Sequence, residues 1–289
     1  MRHFRYATLW PLWGLLGFTS ACINTRKLGT AYIYPGQQLT RNEYVVAGDA
    51  STGSRLVTYT LRQGVEGKIK QQDTSLDITP LQPLTAQVAT ATPRAVGTEA
   101  ASPTTRPDYF FDSRPVGEAS TGRYVRGKSL KYLEISPAVQ ATTIPIKVRP
   151  GLTNKSAYSA SGSFNVGVSY GLKFTHNVYR SYYSVSKSDK DQPVAKDFLN
   201  SRTNKFTFMP GLFVGPSLVE LTPANTQNAV EKDRTVVGLT TGIVGVVAIN
   251  QFSLGAAMGW DYGLGSPATQ WNYHRKRWYG IVLGLDFIK

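Results

Sequence analysis

The chain has few of the residues from which most catalytic and metal sites are built. Its 289 residues include one cysteine and three histidines. One cysteine excludes an internal disulfide framework and a zinc site made of cysteines. Three histidines leave little material for a metal site or a catalytic triad. The sequence also lacks a phosphate-binding loop, a dinucleotide fingerprint, a nucleophile elbow and metal-ligand spacing. It therefore predicts no enzyme activity, no catalytic residue, no metal and no cofactor.

Charged residues are also scarce, and acidic ones most of all. Lys and Arg number 32 against 18 Asp and Glu, which gives a net charge of +14. All four types make up only 17% of the chain, against roughly 25% in an average soluble protein. A basic protein can attract nucleic acid, but the N-terminal segment described next indicates export. We therefore expect anionic lipid headgroups, lipopolysaccharide or cell-wall polymers as partners, and no nucleic acid.

The first 21 residues have the three-part pattern of a secretory signal peptide. Arg2 and Arg5 precede the apolar run Leu9–Phe18, and three small residues follow it. The run is too short for a membrane-spanning helix, which needs about 20 apolar residues. We therefore expect residues 1–21 to be a signal peptide and the mature protein to be exported.

The single cysteine, Cys22, follows this segment directly. The order Thr19-Ser20-Ala21-Cys22 resembles the lipobox of bacterial lipoproteins, with Thr19 standing where such motifs usually carry Leu. The resemblance implies that Cys22 is acylated, for example with palmitate, and anchors the chain in a membrane. The alternative is ordinary cleavage after Ala21, which leaves Cys22 free.

Composition divides the rest of the chain into three parts. Residues 22–88 mix short β-prone runs with turn residues and predict a small, partly disordered β-rich region. Residues 89–122 are rich in Ala, Thr and Pro, which favours a linker or long exposed loop because little apolar surface can be buried. Residues 123–289 contain long runs of alternating large and small residues and predict the main folded domain. No segment after the signal has a helical period, so an all-β fold is expected.

The alternation predicts long β-strands whose two faces differ chemically. Large apolar side chains alternate with Gly, Ser, Asn and Thr over 163–175, and similar patterns return in 237–249 and 252–264. The small-residue face is poorly suited to water because it carries little charge. We therefore expect the large side chains to face outward to lipid. This pattern resembles that of a bacterial outer-membrane β-barrel.

The resemblance implies an antiparallel up-and-down β-barrel of about eight strands. An eighth strand would come from 179–185 or from the N-terminal half. The near-terminal alternation that ends at Phe287 resembles the signal read by the outer-membrane assembly machinery, although Ile288 and Lys289 follow it. That machinery is therefore an implied partner during biogenesis. The candidate strands are 124–135, 139–149, 161–176, 204–219, 235–249, 251–264 and 277–288.

Aromatic residues at both ends of the last predicted hairpin favour two aromatic girdles. We expect Phe252–Leu264 to pair with Trp278–Phe287, so that the aromatics nearest the loop stand level with one another. The stretch from Phe252 to Tyr262 would then project to about 25 Å at a tilt of about 40°, the height of the apolar band of such barrels. The predicted girdle residues are Trp260, Tyr262, Trp278, Tyr279, Phe252 and Phe287.

Few titratable residues fall within this pattern. His176 is in phase with an apolar face, and we expect it at a rim. His274 lies in a basic and aromatic run, and we expect it in a solvated loop. The cations Arg275, Lys276 and Arg277 of that run are candidate contacts for the phosphates of lipopolysaccharide.

Three charged residues fall on the predicted inner face, namely Lys173, Asp261 and Asp286. Charges inside a narrow barrel must pair. We therefore expect an internal network of ion pairs.

These observations predict a cell-envelope protein in the outer membrane of a Gram-negative-type bacterium, with a structural, adhesive or binding role. One alternative is a soluble, lipid-tethered β-sandwich or barrel, in the periplasm or at the surface, that binds a ligand inside. In that case Phe164, Val168, Leu254 and Trp260 would point into a core. A more distant alternative is a lipid-modifying enzyme that uses His176. The oligomeric state is not predicted.

Overall fold

A computed structural model of the chain describes residues 28–46, 52–71, 76–94, 109–113, 124–151, 159–161, 165–185, 196–250 and 252–285. These residues form antiparallel β-strands and one 3-10 helix, Ser266–Gln270, which confirms the predicted all-β class. No helix in this part of the chain is long and apolar enough to cross a membrane. The predicted signal peptide and Cys22 lie outside the described residues. The chain divides into two compact units, 1–112 and 113–289.

The first unit contains seven strands in the residues that the structure describes. They pair in the order β1-β4-β5-β7-β2-β3-β6. The strands are β1 (Ala31–Ile33), β2 (Gln38–Val46), β3 (Thr52–Leu61), β4 (Val65–Gln71), β5 (Leu76–Pro80), β6 (Ala89–Arg94) and β7 (Tyr109–Phe111). Its fully buried apolar side chains include Ile33, Leu39, Leu61, Leu76 and Ile78.

Two of these strands fall within residues 89–122, where composition predicts a linker or loop. β6 pairs with β3 from Ala89 to Arg94, and β7 pairs with both β5 and β2. Tyr109 and Phe111 are buried and supply the apolar area that the Ala/Thr/Pro composition lacks. β6 stands at the end of the strand order, and an edge strand tolerates the missing N–H of Pro93.

The second unit is built around six strands whose pairings close into a ring, in the order β8-β10-β11-β12-β13-β14 and back to β8. β8 closes the ring because Ala141, Thr142 and Thr143 have partners in both β10 and β14. We call these strands the six-strand ring. The strands of this unit are β8 (Tyr124–Arg149), β9 (Ser159–Ser161), β10 (Asn165–Val185), β11 (Lys196–Leu221), β12 (Arg234–Ile249), β13 (Phe252–Gly263) and β14 (Arg277–Leu285).

One circuit of the ring shifts the register by eight residues. Stepping from partner to partner leads from Thr143 through Leu283, Leu254, Val247, Phe208 and Phe174 to Ile135. This shift is about 26 Å along the strand, in a circumference of about 29 Å for six strands. The strands are therefore tilted by about 40° to the ring axis.

The described residues give six strands in the ring, against a predicted count of about eight. The segments 124–135 and 139–149 are one continuous strand, and 179–185 continues β10. β8 runs through Pro137, which pairs with Leu172 of β10.

The interior of the ring is filled by side chains. Two inner glycines make room for the largest rings. A Cβ atom at Gly259 would lie 2.5 Å from the indole of Trp278, and one at Gly167 would lie 2.7 Å from the ring of Phe213. The small-residue face of the strands therefore packs against large side chains that enter from other strands. The apolar cluster contains Ile144, Met209, Phe213, Val244, Val246, Ala257, Trp278 and Val282.

Candidate functional site

A band around the outer surface of the six-strand ring is apolar. We define the outer band as the outward positions of 139–148, 166–178, 206–218, 237–249, 252–264 and 279–283. No Asp, Glu, Lys or Arg occupies an outward position in these stretches. Val168 is 49% exposed and Leu254 is 59% exposed, so both point away from the core. Trp260 is half-buried, and Phe164 lies outside the described residues. Exposed members include Val139, Ile146, Val166, Tyr170, Phe206, Phe208, Leu212, Val214, Leu218, Val237, Leu239, Val247, Ile249, Phe252, Tyr279, Ile281 and Leu283.

The outer band has a uniform height across three neighbouring strands. At one end Phe206 pairs with Ile249, which in turn pairs with Phe252. At the other end Leu218 pairs with Val237, whose carbonyl accepts the N–H of Leu264. Twelve residue steps at the ring's tilt project to about 30 Å, the thickness of the hydrocarbon core of a bilayer.

The predicted girdle residues divide between the two faces of the ring. Phe252 and Tyr279 are exposed, and Tyr262 is half-buried, all three at outward positions. Trp278 is completely buried and belongs to the apolar cluster, so its assignment to a lipid-facing girdle is wrong. Adjacent residues of a strand point to opposite faces. Because Tyr279 points outward, Trp278 points inward. Phe287 lies outside the described residues.

The register of the last hairpin also differs from the predicted one. Trp260 pairs with Arg277 and Met258 pairs with Tyr279, so the strands are displaced by about two residues from the expected alignment. Gly259 pairs with Trp278. The missing side chain of Gly259 leaves the space that the indole fills, which gives a physical reason for this register.

A buried group of three charged side chains lies inside the ring. Lys147 Nζ lies 2.7 Å from Asp261 Oδ1, and Arg149 Nη2 lies 2.6 Å from Asp261 Oδ2. Lys147 also donates to Thr240 Oγ1 at 3.1 Å. All three charged residues are buried. We call Lys147, Arg149 and Asp261 the buried triad.

Sequence reasoning placed Asp261 inside and missed both of its partners. The sequence feature that could have identified these partners is at the end of β8, where the apolar Ile146 and Val148 alternate with Lys147 and Arg149. A register shift against β14 between Ile281 and Leu283 places odd-numbered residues of β8 inward here, whereas even-numbered ones such as Ile144 are buried before it. Lys173 is half-buried on β10, and Asp286 lies outside the described residues.

Aromatic rings flank both cations of the triad. Lys147 Nζ lies 4.5 Å from the centroid of the Trp278 ring. The guanidinium carbon of Arg149 lies 5.2 Å from the Trp271 centroid and 5.8 Å from the Tyr273 centroid. These distances fall within the range of cation–π attraction. The triad has two cations and one anion, so the aromatic faces stabilise the additional positive charge.

The segment 264–276, between β13 and β14, is anchored to the triad by its backbone. Arg275 N donates to Asp261 O at 2.8 Å, and Lys276 N donates to Tyr273 O at 2.9 Å. Trp271 is buried with Ala268, beside Leu221 and other apolar residues at the end of the ring. The segment therefore has a fixed backbone path.

The two candidate histidines lie at different places on the ring. His176 is half-buried on β10 opposite Leu133 and Phe206, at one end of the outer band. His274 accepts a hydrogen bond from Gly263 N through Nδ1 at 3.2 Å. Burial, and then the charge of Arg275, lower the pKa of His274 below its usual value. A neutral imidazole suits this position because Nδ1 must be unprotonated to accept.

The three predicted lipid-contacting cations are all exposed. Arg275 and Lys276 belong to the loop, and Arg277 begins β14 at an outward position opposite Trp260. None of them forms an ion pair with another residue in the described ranges.

Among the described residues, no three His, Cys, Asp or Glu side chains are grouped so that they could hold a metal ion. Comparison of the chain with protein-family models, curated proteins and solved structures finds no match. The outer band, the buried triad and the run of exposed cations 275–277, which we call the basic loop, are therefore the features from which a function can be inferred.

Proposed function

We propose that residues 113–289 form a small β-barrel embedded in the outer membrane of a bacterium, with a structural, adhesive or binding role and no catalytic one. The observation that carries this proposal is the outer band. Large apolar side chains alternate with small or polar inward ones along several strands of the ring, which is the pattern of a barrel whose outer surface meets lipid.

The extent of the band favours lipid over water. Soluble monomers rarely expose contiguous apolar patches larger than a few hundred Å², whereas this band includes outward positions on all six strands of the ring. Its height of about 30 Å matches the hydrocarbon core. Each strand of the ring also has a hydrogen-bonded neighbour on both sides, which is the requirement that lipid imposes on β-structure.

The connections between strands support an orientation. At one end of the ring β12 and β13 are joined by two residues and β10 and β11 by ten, whereas 222–233 and 264–276 form connections of 12 and 13 residues at the opposite end. Outer-membrane barrels have short turns at the periplasmic end and longer loops outside. We therefore assign the end with the long loops to the cell exterior.

The interior favours a structural or binding role over conduction. Apolar side chains such as Phe213 and Trp278, together with the buried triad, occupy the space inside the ring. A barrel of this size is filled by its own side chains. Binding would then take place at the loops or at the outer surface.

Residues 1–22 are consistent with this placement. A signal peptide at 1–21 would export the chain, and acylation of Cys22 would provide a second anchor. Assembly into the membrane would require the outer-membrane assembly machinery.

A soluble, lipid-tethered domain is a second candidate, and the strand count favours it. Single-chain outer-membrane barrels have eight strands or more, and the ring has six in the described ranges. In this case protein rather than lipid would cover the outer band, and Cys22 would be the sole anchor.

Membrane fractionation of the full chain and of Cys22→Ala tests the proposal. We expect both proteins to stay in the outer membrane after high-salt and carbonate washes, and both to run anomalously on gels when unheated. Release of Cys22→Ala as a soluble, folded protein would show that the lipid is the only anchor, and would support the second candidate instead.

A further inference from the structure

We propose that the rim of the ring at the long-loop end binds the phosphate group of an anionic lipid, through Arg275, Lys276 and Arg277 beside Trp260. This site depends on the membrane placement proposed above and adds the chemical class of its ligand. The lipid would be a phosphorylated outer-leaflet glycolipid of the lipopolysaccharide type, with its acyl chains on the outer band.

Positive charge is concentrated at one side of the long-loop end. The run 275–277 carries three exposed cations with no acidic residue among them. The other described loop at this end contains the run Glu231-Lys232-Asp233-Arg234, whose charges alternate and cancel. Of the two loops that the structure describes in full at this end, the β13–β14 connection therefore attracts a phosphate more strongly.

The cations stand at the height where an anionic headgroup would lie. Arg277 occupies an outward position of β14, directly opposite Trp260 and two residues before the exposed Tyr279. Trp and Tyr are enriched at the membrane–water interface. Arg presents its planar group of donors to phosphate oxygens in bidentate fashion. A lipid whose chains contact the outer band would therefore bring its phosphate to Arg277.

The loop is held in shape before any ligand binds. Arg275 has a left-handed backbone with φ of 58°, and its N–H is bonded to the carbonyl of Asp261. Beneath it, the guanidinium of Arg149 lies against the rings of Trp271 and Tyr273. Because the backbone is already ordered, binding a phosphate would cost little conformational entropy beyond that of the cationic side chains.

The test is a titration of the full chain in non-ionic detergent micelles with diphosphorylated lipid A, followed by native mass spectrometry. The test variant is Arg275→Ser/Lys276→Ser/Arg277→Ser. The matched control, Lys205→Ser/Lys232→Ser/Arg234→Ser, removes the same charge from three other exposed positions. We expect the test variant to bind lipid A about tenfold more weakly than the unmodified chain, and the control to change by less than about twofold.

Three results would overturn the proposal. The first is that the test variant binds lipid A as tightly as the control does. The second is that lipid A without its phosphates binds as tightly as the phosphorylated form. The third is that equimolar inorganic phosphate displaces the lipid. The last result would identify a soluble anion as the ligand. Arg277→Ser alone, which leaves the backbone bonds of the loop in place, gives the same comparison if the triple variant does not fold.

Failure of this site and failure of the membrane placement can be told apart. If the unmodified chain resists carbonate extraction and all variants bind lipid A equally, only the phosphate site is refuted. If carbonate releases the unmodified chain, the membrane placement itself fails.

Discussion

Arg149 Nη2 lies 2.6 Å from Asp261 Oδ2, and this contact joins the end of β8 to the last residues of β13 inside the ring. The other carboxylate oxygen of Asp261 holds Lys147. One carboxylate therefore pairs with two buried cations that are 112 and 114 residues away in sequence. The backbone carbonyl of Asp261 also accepts the N–H of Arg275, so Asp261 connects the interior of the ring to the basic loop.

We expect Asp261→Asn to be among the most destabilising substitutions in the second unit. It leaves Lys147 and Arg149 buried without a counter-charge, which costs about 3–5 kcal/mol when a buried pair is broken. The measurement is the free energy of unfolding in urea, followed by circular dichroism or by loss of anomalous gel mobility. Asp233→Asn, at an exposed position, is the control and should change stability by less than about 0.5 kcal/mol. An equal effect of the two substitutions would contradict the role of the triad.

The space around Gly259 and Gly245 predicts different changes in stability when each is replaced by alanine. A Cβ atom at Gly259 would press on the Trp278 indole and on the carbonyl oxygen of Thr241, whereas one at Gly245 would meet only Phe208 at 3.8 Å. We expect Gly259→Ala to destabilise the protein by about 1–3 kcal/mol through overpacking. Gly245→Ala should be close to neutral or slightly stabilising. Thermal unfolding of the two variants side by side checks this, and a loss of stability at position 245 alone would refute the inner packing.

The environment of His274 predicts a pH dependence of the loop. Because burial and Arg275 lower its pKa, the unfolded chain binds the proton more readily, so stability falls as the pH drops through the unfolded value toward the lower folded one. Protonation also removes the acceptor for Gly263 N. A histidine-selective NMR titration should place the pKa of His274 below about 6.5, and Arg275→Gln should raise it. A pKa at or above the ordinary value would contradict this environment.

The strands with strict alternation could be predicted from the sequence because their pattern is local. Period-two runs in 237–249 and 252–264 predict both the strand and which side chains face outward. The segment 124–149 shows the limit of this reasoning. The sequence predicts two strands there, 124–135 and 139–149, whereas the structure has one continuous strand that runs through Pro137.

Features that depend on distant residues could not be predicted. The inward position of Trp278 follows from the glycine opposite it on the neighbouring strand, and no pattern within β14 reveals that neighbour. The partners of Asp261 lie more than a hundred residues earlier in the chain. Ion pairs across a ring require the register of every strand between them, which a single sequence does not supply.

The central claim is that lipid surrounds the outer band. Site-directed spin labels can test it because the chain has one cysteine, which Cys22→Ala removes. Single cysteines would replace Leu254, Ala256 and Met258 on the outer face of β13, and Ser253, Gly255 and Ala257 on the inner face, in the protein reconstituted into bilayers. The measurement is relaxation of each label by molecular oxygen and by a water-soluble nickel complex.

We predict that labels at the three outward positions are relaxed strongly by oxygen and weakly by the nickel complex, with a period of two along the strand. That result places lipid against the outer band. Strong relaxation by the nickel complex at positions 254, 256 and 258 would place water there, and protection from both reagents would place protein there. Either of these two results would contradict the membrane-embedded barrel.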